Sequence, residues 1–321
     1  MTVTSKNKSA WVRGGTAVEA TSAASAARQA GLDWTVRKGQ LLAESRTSTL
    51  LSVPKKQAII REDNNSVIGI VGTKYKVVQN MEVFNALDTL VDAGDARYAA
   101  AGEFNGGANI WMVLELPQGV EVANDPHAAF LLVKTSHDGS SSVVIKPIIE
   151  RLFCANQVNG LISNSRQKYN EYTYRMTHST NQELSISDIR NITHLTYTAI
   201  ADYQLVANNL LKKDMSREQA VNFFKKVWAL PTTVEDKPYD LLTRGERKQQ
   251  TIAKDARAKA WAIYSESQTQ ENIRGTAFGA WQAVIEYADH HATGGADRLA
   301  AATLSGRNDK VKTKALSLLT V

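Results

Sequence analysis

The residues whose types and spacing suggest chemistry are cations interleaved with tyrosines. Lys74-Tyr75-Lys76 is one such group, and a denser group follows between residues 166 and 175. Cations spaced in this way can neutralise the phosphates of a nucleic-acid backbone, while aromatic faces stack on bases of any type. An ordinary solvated strand face with amphipathic tyrosines explains the same spacing equally well. The candidate binding residues are Lys74, Tyr75, Lys76, Lys134, Lys146, Arg151, Arg166, Lys168, Tyr169 and Arg175.

The overall charge supports a polyanionic partner only weakly. The 321 residues carry a formal charge of +6; residues 1–150 hold 15 basic and 15 acidic side chains, and the remaining residues hold 23 and 17. Part of that excess is a second run of cations between residues 244 and 259. A charge run along one helix is usually a solvated face, so this run carries less weight than the alternation of cations and tyrosines.

Motifs for catalysis are missing from the sequence. It contains no phosphate-binding G-x-x-x-x-G-K-[ST] loop, no G-x-G-x-x-G, no H-E-x-x-H and no G-x-S-x-G. Ser136-His137-Asp138 contains the residue types of a triad, but adjacent residues of a strand point to opposite faces, so a turn is favoured. We therefore predict no catalytic residue, no metal site and no cofactor.

Two further groups have a structural interpretation that outweighs the chemical one. Cys154 is predicted near a helix start beside Arg151, where its thiol pKa would fall, but a buried structural cysteine is favoured because no histidine stands in a partnering position. His290-His291 ends a helix, where imidazolium suits the helix dipole, and no third metal ligand accompanies the pair.

The elements that must position these residues form an α+β pattern. A helix over 81–93, capped by Asn80, is followed by an antiparallel meander, and the second half of the chain is mostly helical. Residues 63–66, Asp-Asn-Asn-Ser, are of the types that favour a turn and are predicted to connect two strands of a hairpin. Strands are predicted at 34–36, 58–60, 67–71, 75–78, 96–104, 109–116, 130–135 and 142–148.

After residue 150 the apolar period changes from two to 3.6, which predicts helices. They are expected to start near 152 and to run over 185–213, 216–230, 241–265, 276–290 and 310–321, with a polar hairpin at 169–180. The predicted organisation is an N-terminal tail or thin amphipathic helix at 1–30, an α+β core at 31–180, and a helical region at 181–321 packed on the core.

Composition places the chain among folded, soluble proteins. It is 43% hydrophobic and 22% charged, with one cysteine that has no internal disulfide partner. No stretch approaches the roughly 18 apolar residues of a membrane helix, and the N-terminus lacks the apolar core of a signal peptide. We expect a cytoplasmic protein without a membrane partner.

Five strings of residues, in order along the chain, resemble a phage/plasmid-like family catalogued as a domain of unknown function. The resemblance covers residue 30 to the C-terminus and implies a home on a phage, prophage or plasmid. The strings are Ala30-Gly-Leu-Asp-Trp34-Thr-Val, Val71-Gly-x-x-Tyr75-x-Val-Val-Gln-Asn80-x-Glu-x-Phe84, Arg151-Leu-Phe-Cys154-Ala-Asn156, Ala280-Trp-Gln-Ala-Val-Ile-Glu-Tyr-Ala-Asp-His290 and Lys312-x-Lys314-Ala-Leu.

The order of elements also resembles the helix, antiparallel sheet and helix core of the Rad-fifty-two superfamily of single-strand annealing proteins. This topological likeness implies an oligomeric ring that holds single-stranded DNA in a basic groove and anneals complements without ATP. It also implies a phage exonuclease or a host single-strand-binding protein as a partner. No residue role is transferred, because those proteins share a fold and not a motif.

The leading hypothesis is therefore an ATP-independent annealing protein that acts in homologous recombination. The alternative is a structural or regulatory interaction protein of a mobile element, which would assemble with itself or with a host protein and would not bind DNA. A hydrolase or nuclease using Cys154 or carboxylates is the least favoured class.

Overall fold

The computed structural model describes residues 8–159, 172–178, 186–292 and 294–320. Within them the fold is α+β, with antiparallel sheets in the first half and helices in the second, which confirms the predicted class. The strands are β1 (Thr16–Ala17), β2 (Val36–Glu44), β3 (Leu50–Arg61), β4 (Val67–Gly72), β5 (Arg97–Phe104), β6 (Asn109–Glu115), β7 (Val120–Val122), β8 (Asp125–Ser136), β9 (Val143–Arg151), β10 (Asn156–Asn159) and β11 (Tyr174–Met176).

The helices divide into short N-terminal ones and longer C-terminal ones. The first group is α1 (Ala10–Gly14), α2 (Ala23–Gln29), α3 (Asn80–Phe84) and α4 (Asp88–Asp92). The second group is α5 (Ile186–Leu211), α6 (Arg217–Val227), α7 (Thr232–Glu235), α8 (Arg244–Glu266), α9 (Ala277–Glu286), α10 (Ala296–Ser305) and α11 (Asp309–Leu319). A π-helical turn, Tyr287–His291, continues α9.

The main sheet has eight antiparallel strands in the order β1-β5-β6-β8-β9-β10. β7 pairs with β8, and β11 pairs with β9 on the edge that β10 also uses. Residues paired directly across neighbouring strands share a face, so the register assigns every side chain to one of two layers. The meander β5-β6-β8-β9 is the predicted one.

Different helices cover the two faces of this sheet. One face carries Trp111, Phe130 and Leu132, which form a cluster with Trp11 of α1 and Leu304 of α10. The opposite face carries Ile110, Met112, Leu131 and Val133 and belongs to the larger core built with α2, α3, α5, α6, α8, α9 and α11. The apolar layer on the first face is therefore thinner than the larger core on the opposite face.

A second sheet, in the order β2-β3-β4, has a free end. Its base is buried at Ala58 and Ile59, and its β3–β4 turn lies at the predicted position, with Asn65 in the left-handed region at φ 56°. Towards the β2–β3 turn the strands are exposed on both sides, and Leu50 and Leu51 are 65% and 53% exposed. The expected strand 34–36 is therefore the start of a much longer hairpin.

Several local predictions differ from the structure. Residues 75–78 are an irregular segment after β4 and not a strand, because no neighbouring strand pairs with them. The prediction that a helix starts near residue 152 is wrong: β9 extends to Arg151, a turn follows, and β10 pairs with β9. Helix 81–93 is split into α3, a 3₁₀ turn and α4. Helix α10 lies where a loop was expected.

Of the two interpretations of the N-terminal segment, the helical one holds for residues 23–29. Ser22 caps α2 by accepting the N–H of Ser25, and Ala23, Ala26 and Ala27 are completely buried in the larger core. Alanine suits this place because it lets the helix approach the sheet closely without loss of side-chain entropy. Residues 8–30 are therefore part of the packed structure.

Candidate nucleic-acid interface

Three strands place two of the predicted cations on one face of the main sheet. Lys134 of β8 and Arg175 of β11 both pair in register with Val144, which lies between them on β9. Their Cα atoms are therefore about 9–10 Å apart, the width of two strand spacings. Arg175 is exposed and Lys134 is half-buried. The register thus joins cations that lie 41 positions apart in the chain.

The Lys74–Lys76 segment is fastened to the same end of the sheet. The hydroxyl of Tyr75 donates to the Ser136 carbonyl at 2.8 Å, and its ring stacks on His178 with centroids 5.0 Å apart. The N–H of Lys76 donates to the carbonyl of His178 at 2.9 Å. Ser136 and His178 follow Lys134 and Arg175 by two and three positions. Lys74 and Lys76 are exposed, and Tyr75 holds them in place.

Tyr75 itself is half-buried. Burial raises the pKa of its phenol, and one ring face is already occupied by His178. A base could approach the remaining ring surface only from the solvent side. In this structure the main role of Tyr75 is to hold the Lys74–Lys76 loop in place, and stacking on a base would be a lesser one.

Lys134 lies among other cations at the sheet surface. Burial, and then the charges of Lys146 and Arg175, lower the pKa of Lys134 to about 8, although Asp309 acts in the opposite direction. Its Nζ donates to the Ser305 carbonyl at 2.9 Å. No carboxylate of the described residues lies within 4.0 Å of it. An anion placed here would raise the pKa of Lys134 again by relieving the repulsion between cations.

Lys146, by contrast, belongs to the interior. It is 6% exposed, its Nζ lies 3.4 Å from Asp309 Oδ2, and burial lowers its pKa. Gly306 ends α10 at φ 79° directly above this pair: a Cβ there would lie 2.6 Å from Asp309 Oδ2 and 3.2 Å from Lys146 Nζ. Lys146 therefore ties the sheet to the α10–α11 junction and is not available to a phosphate in this structure.

Arg151 is also interior. It forms an ion pair with Asp125 and donates to the Thr269 carbonyl at 2.6 Å and to Asn272 Oδ1 at 3.0 Å. Its side chain is 1% exposed. The guanidinium connects β9 to β8 and to the segment before α9, so we leave it out of the interface. Cys154 is buried beside it, and burial raises the thiol pKa, as expected for a structural cysteine.

The remaining three candidates, Arg166, Lys168 and Tyr169, lie outside the described residues. The exposed or half-exposed cations at this end of the sheet are therefore Lys74, Lys76, Lys134 and Arg175. Lys134 and Arg175 lie on the Trp111 face, whereas Tyr75 anchors the Lys74–Lys76 loop from the opposite face. Two cations of the second run on α8 form ion pairs: Arg257 pairs with Glu235 at 2.6 Å, and Lys259 pairs with Asp255.

A cleft of about 510 Å³, which the sequence analysis does not predict, adjoins Lys134. It lies between the ends of β5, β6 and β8 and the end of α10, and Phe104, Trp111 and Arg307 are among its lining residues. Arg307 is exposed and has no carboxylate of the described residues within 4.0 Å. Sequence reasoning missed it because α10 was not expected; the Gly306-Arg307 helix ending was the available signal.

Other classes of site find no support in the described ranges. They contain no group of three or more His, Cys, Asp or Glu side chains that could hold a metal ion. His137 is buried and its Nε2 bonds Asn80 Oδ1 at 2.8 Å, so Ser136-His137-Asp138 does not assemble a triad. None of the described helices combines the length and apolarity needed to cross a membrane.

Comparisons with known proteins give a family and no function. Searches of curated proteins and of solved structures found no match. One family model does match, over residues 67–318, a range that runs from the start of β4 to the last turn of α11 and contains every cation of the interface. The chain belongs to the family described as a domain of unknown function, DUF932.

Proposed function

We propose that this protein binds single-stranded DNA and anneals complementary strands without ATP, as a recombination protein of a phage, prophage or plasmid. The observation that carries the proposal is the convergence of Lys74, Lys76, Lys134 and Arg175 at one end of the main sheet. They come from three separate elements. Their convergence is a property of the fold, whereas a solvated strand face would need no such arrangement.

The chemistry required of this surface is modest. Cations neutralise the phosphates of each strand, which lowers the repulsion between two complements, while the bases stay free to pair. Lys134 and Arg175 would contact phosphates from the sheet face, and Lys74 and Lys76 from the adjoining loop. No nucleotide hydrolysis is needed, because base pairing supplies the free energy.

Self-association into a ring belongs to the same proposal, and the exposed end of the β2–β3 hairpin supports it. Leu42 is 44% exposed, and Leu50 and Leu51 are more exposed still. Neighbouring subunits would bury this apolar surface and continue the cationic surface from one protomer to the next. By register Leu42 and Leu50 lie on one face of the hairpin and Leu51 on the other, so both faces offer apolar contacts to neighbouring subunits.

The same hairpin favours the second candidate, an interaction protein of a mobile element that binds a protein partner and no DNA. Salt dependence separates the two. Each phosphate contact contributes about −0.7 to the slope of log affinity against log salt for a single strand. Fluorescence anisotropy with a labelled oligonucleotide at several salt concentrations should give a steep slope; no binding, or binding insensitive to salt, would favour the second candidate.

A further inference from the structure

The cleft beside Lys134 has the properties of a small-ligand site. Its volume of about 510 Å³ falls within the roughly 300–1,000 Å³ usual for such sites. Phe104, Asn105 and Asn109 line the cleft at the ends of β5 and β6, Lys134 and Arg307 supply its cations, and Trp111 lies beside Lys134, with which it pairs in register. A ligand that fits both groups of residues carries a negative charge at one end and a flat polar group at the other.

The protein only partly neutralises the two cations of the cleft: the charge of Asp309 acts on Lys134 without forming an ion pair with it. Among the described residues, no carboxylate lies within 4.0 Å of Lys134 Nζ or of the Arg307 guanidinium. Asp138 also lines the cleft, and its Oδ1 accepts the backbone N–H of Ser140. Lys146 and Arg175 add positive charge close by. Two cations of this kind match the oxygens of a phosphate group.

The aromatic lining of the cleft contains a donor without an acceptor. Trp111 is 2% exposed, and its indole Nε1 has no hydrogen-bond partner among the described residues. This N–H is closed to solvent, so a ligand in the cleft would meet the aromatic rings and not the donor. Phe104 stacks on Trp111 with centroids 6.1 Å and planes 29° apart, and it is only half-buried. A further flat ring can continue that stack.

We propose that the cleft binds one nucleotide unit, either as a free nucleoside monophosphate or as the phosphorylated end of a DNA strand. The phosphate lies between Lys134 and Arg307. The base lies against Phe104, where the Asn105 and Asn109 side chains offer donors and acceptors to its edge. Inorganic phosphate would use only half of these contacts.

This site goes beyond strand annealing, because it needs one nucleotide and one protomer. It shares only Lys134 with the proposed DNA surface. Arg307 is therefore the better probe: it is exposed, so its replacement leaves packing unchanged. Arg298, exposed on α10 and not among the cleft residues, is a matched control of the same charge.

Isothermal titration of the full chain with deoxyadenosine monophosphate tests the proposal. We expect measurable binding by the wild type, about tenfold weaker binding by Arg307→Gln, and unchanged binding by Arg298→Gln. Phe104→Leu should also weaken it, whereas inorganic phosphate should bind much more weakly than the nucleotide. Equal affinity of wild type and Arg307→Gln, or of phosphate and nucleotide, would overturn the proposal.

A competition experiment identifies the source of the nucleotide. If a 5′-phosphorylated oligonucleotide displaces the nucleotide better than the same oligonucleotide with a 5′-hydroxyl, the site holds strand ends; equal displacement assigns it to free nucleotides. A wild type that binds neither the nucleotide nor the 5′-phosphate overturns the inference, and strand annealing measured on the same sample shows whether the proposed function survives without it.

Discussion

At the scale of single residues, burial decides which cations can meet a ligand. Arg151 and Arg175 have the same side chain and were equal candidates by type and spacing. Arg151 is buried and bonded to Asp125, Thr269 and Asn272, whereas Arg175 is exposed at the sheet surface. Spacing along the chain does not reveal this difference, because it depends on which helix later covers the strand.

The Arg151–Asp125 pair supplies a prediction on stability. Arg151→Met should lower the free energy of unfolding by about 3–5 kcal/mol, because it leaves the Asp125 carboxylate buried without its counter-charge. Urea denaturation followed by circular dichroism measures this. The double variant Arg151→Met, Asp125→Asn should recover part of the loss. A loss below about 1 kcal/mol in the single variant would show that the pair is not structural.

The burial of Glu150 predicts that the free energy of unfolding depends on pH. It is 4% exposed, and burial raises its pKa to about 7 even though Gln157 and Ser9 donate hydrogen bonds to it. The folded state therefore holds a proton that the unfolded state releases at lower pH, so stability falls as pH rises from the unfolded pKa towards about 7.

The matched variant is Glu150→Gln, which cannot ionise. Between pH 5 and pH 8 the wild type should lose about 3 kcal/mol more unfolding free energy than the variant. Thermal or urea unfolding at several pH values gives the comparison. Parallel pH profiles for the two proteins would contradict the prediction.

At the scale of elements, the α10–α11 junction holds the helical half against the Trp111 face of the sheet. Gly306 is in the left-handed region, and a Cβ there would press on both Asp309 and Lys146. Gly306→Ala should lower the free energy of unfolding by about 1–3 kcal/mol. Gly245→Ala is the control, because Gly245 lies in α8 with open space around it and alanine favours helix. Equal effects of the two substitutions would be inconsistent with this role.

The β2–β3 hairpin gives a prediction on assembly. Replacing both Leu50 and Leu51 by serine should shift the protein towards smaller species, because an interface would lose apolar area, with the fold unchanged since both side chains are exposed. Analytical ultracentrifugation measures the shift. Leu205→Ser, 61% exposed on α5, is the control. A wild type that is monomeric at all concentrations would remove the ring from the proposal.

Helices and strands could be predicted from the sequence where the apolar residues follow a single period. The meander and the long helix α5 follow from alternation and from the 3.6-residue apolar stripe. The end of the β2–β3 hairpin has no buried face and hence no alternation, which explains why only its base was found. β10 is predicted as a helix because its four residues, barely more than one 3.6-residue helical turn, are too few to distinguish the two periods.

At the scale of the whole molecule, tertiary pairing assembles the candidate interface. The sequence singles out the cations, but only register places Lys134 and Arg175 on either side of Val144, and only the Tyr75–Ser136 contact adds the Lys74 loop. Arg307 and the cleft could not be foreseen, since they depend on how α10 packs on the sheet. Local sequence patterns identify candidate binding residues, and burial and strand register in the folded protein determine which of them are accessible.

The most direct test of the account is strand annealing without nucleotide by a variant with Lys74, Lys76 and Arg175 replaced by glutamine. Its control replaces Lys226, Arg244 and Lys248, three exposed cations on α6 and α8. We predict that annealing is lost in the first variant and kept in the control, and that the slope of log DNA affinity against log salt becomes shallower by about 2. Equal annealing and equal salt slopes in the two variants, or no annealing by the wild type, would contradict the account.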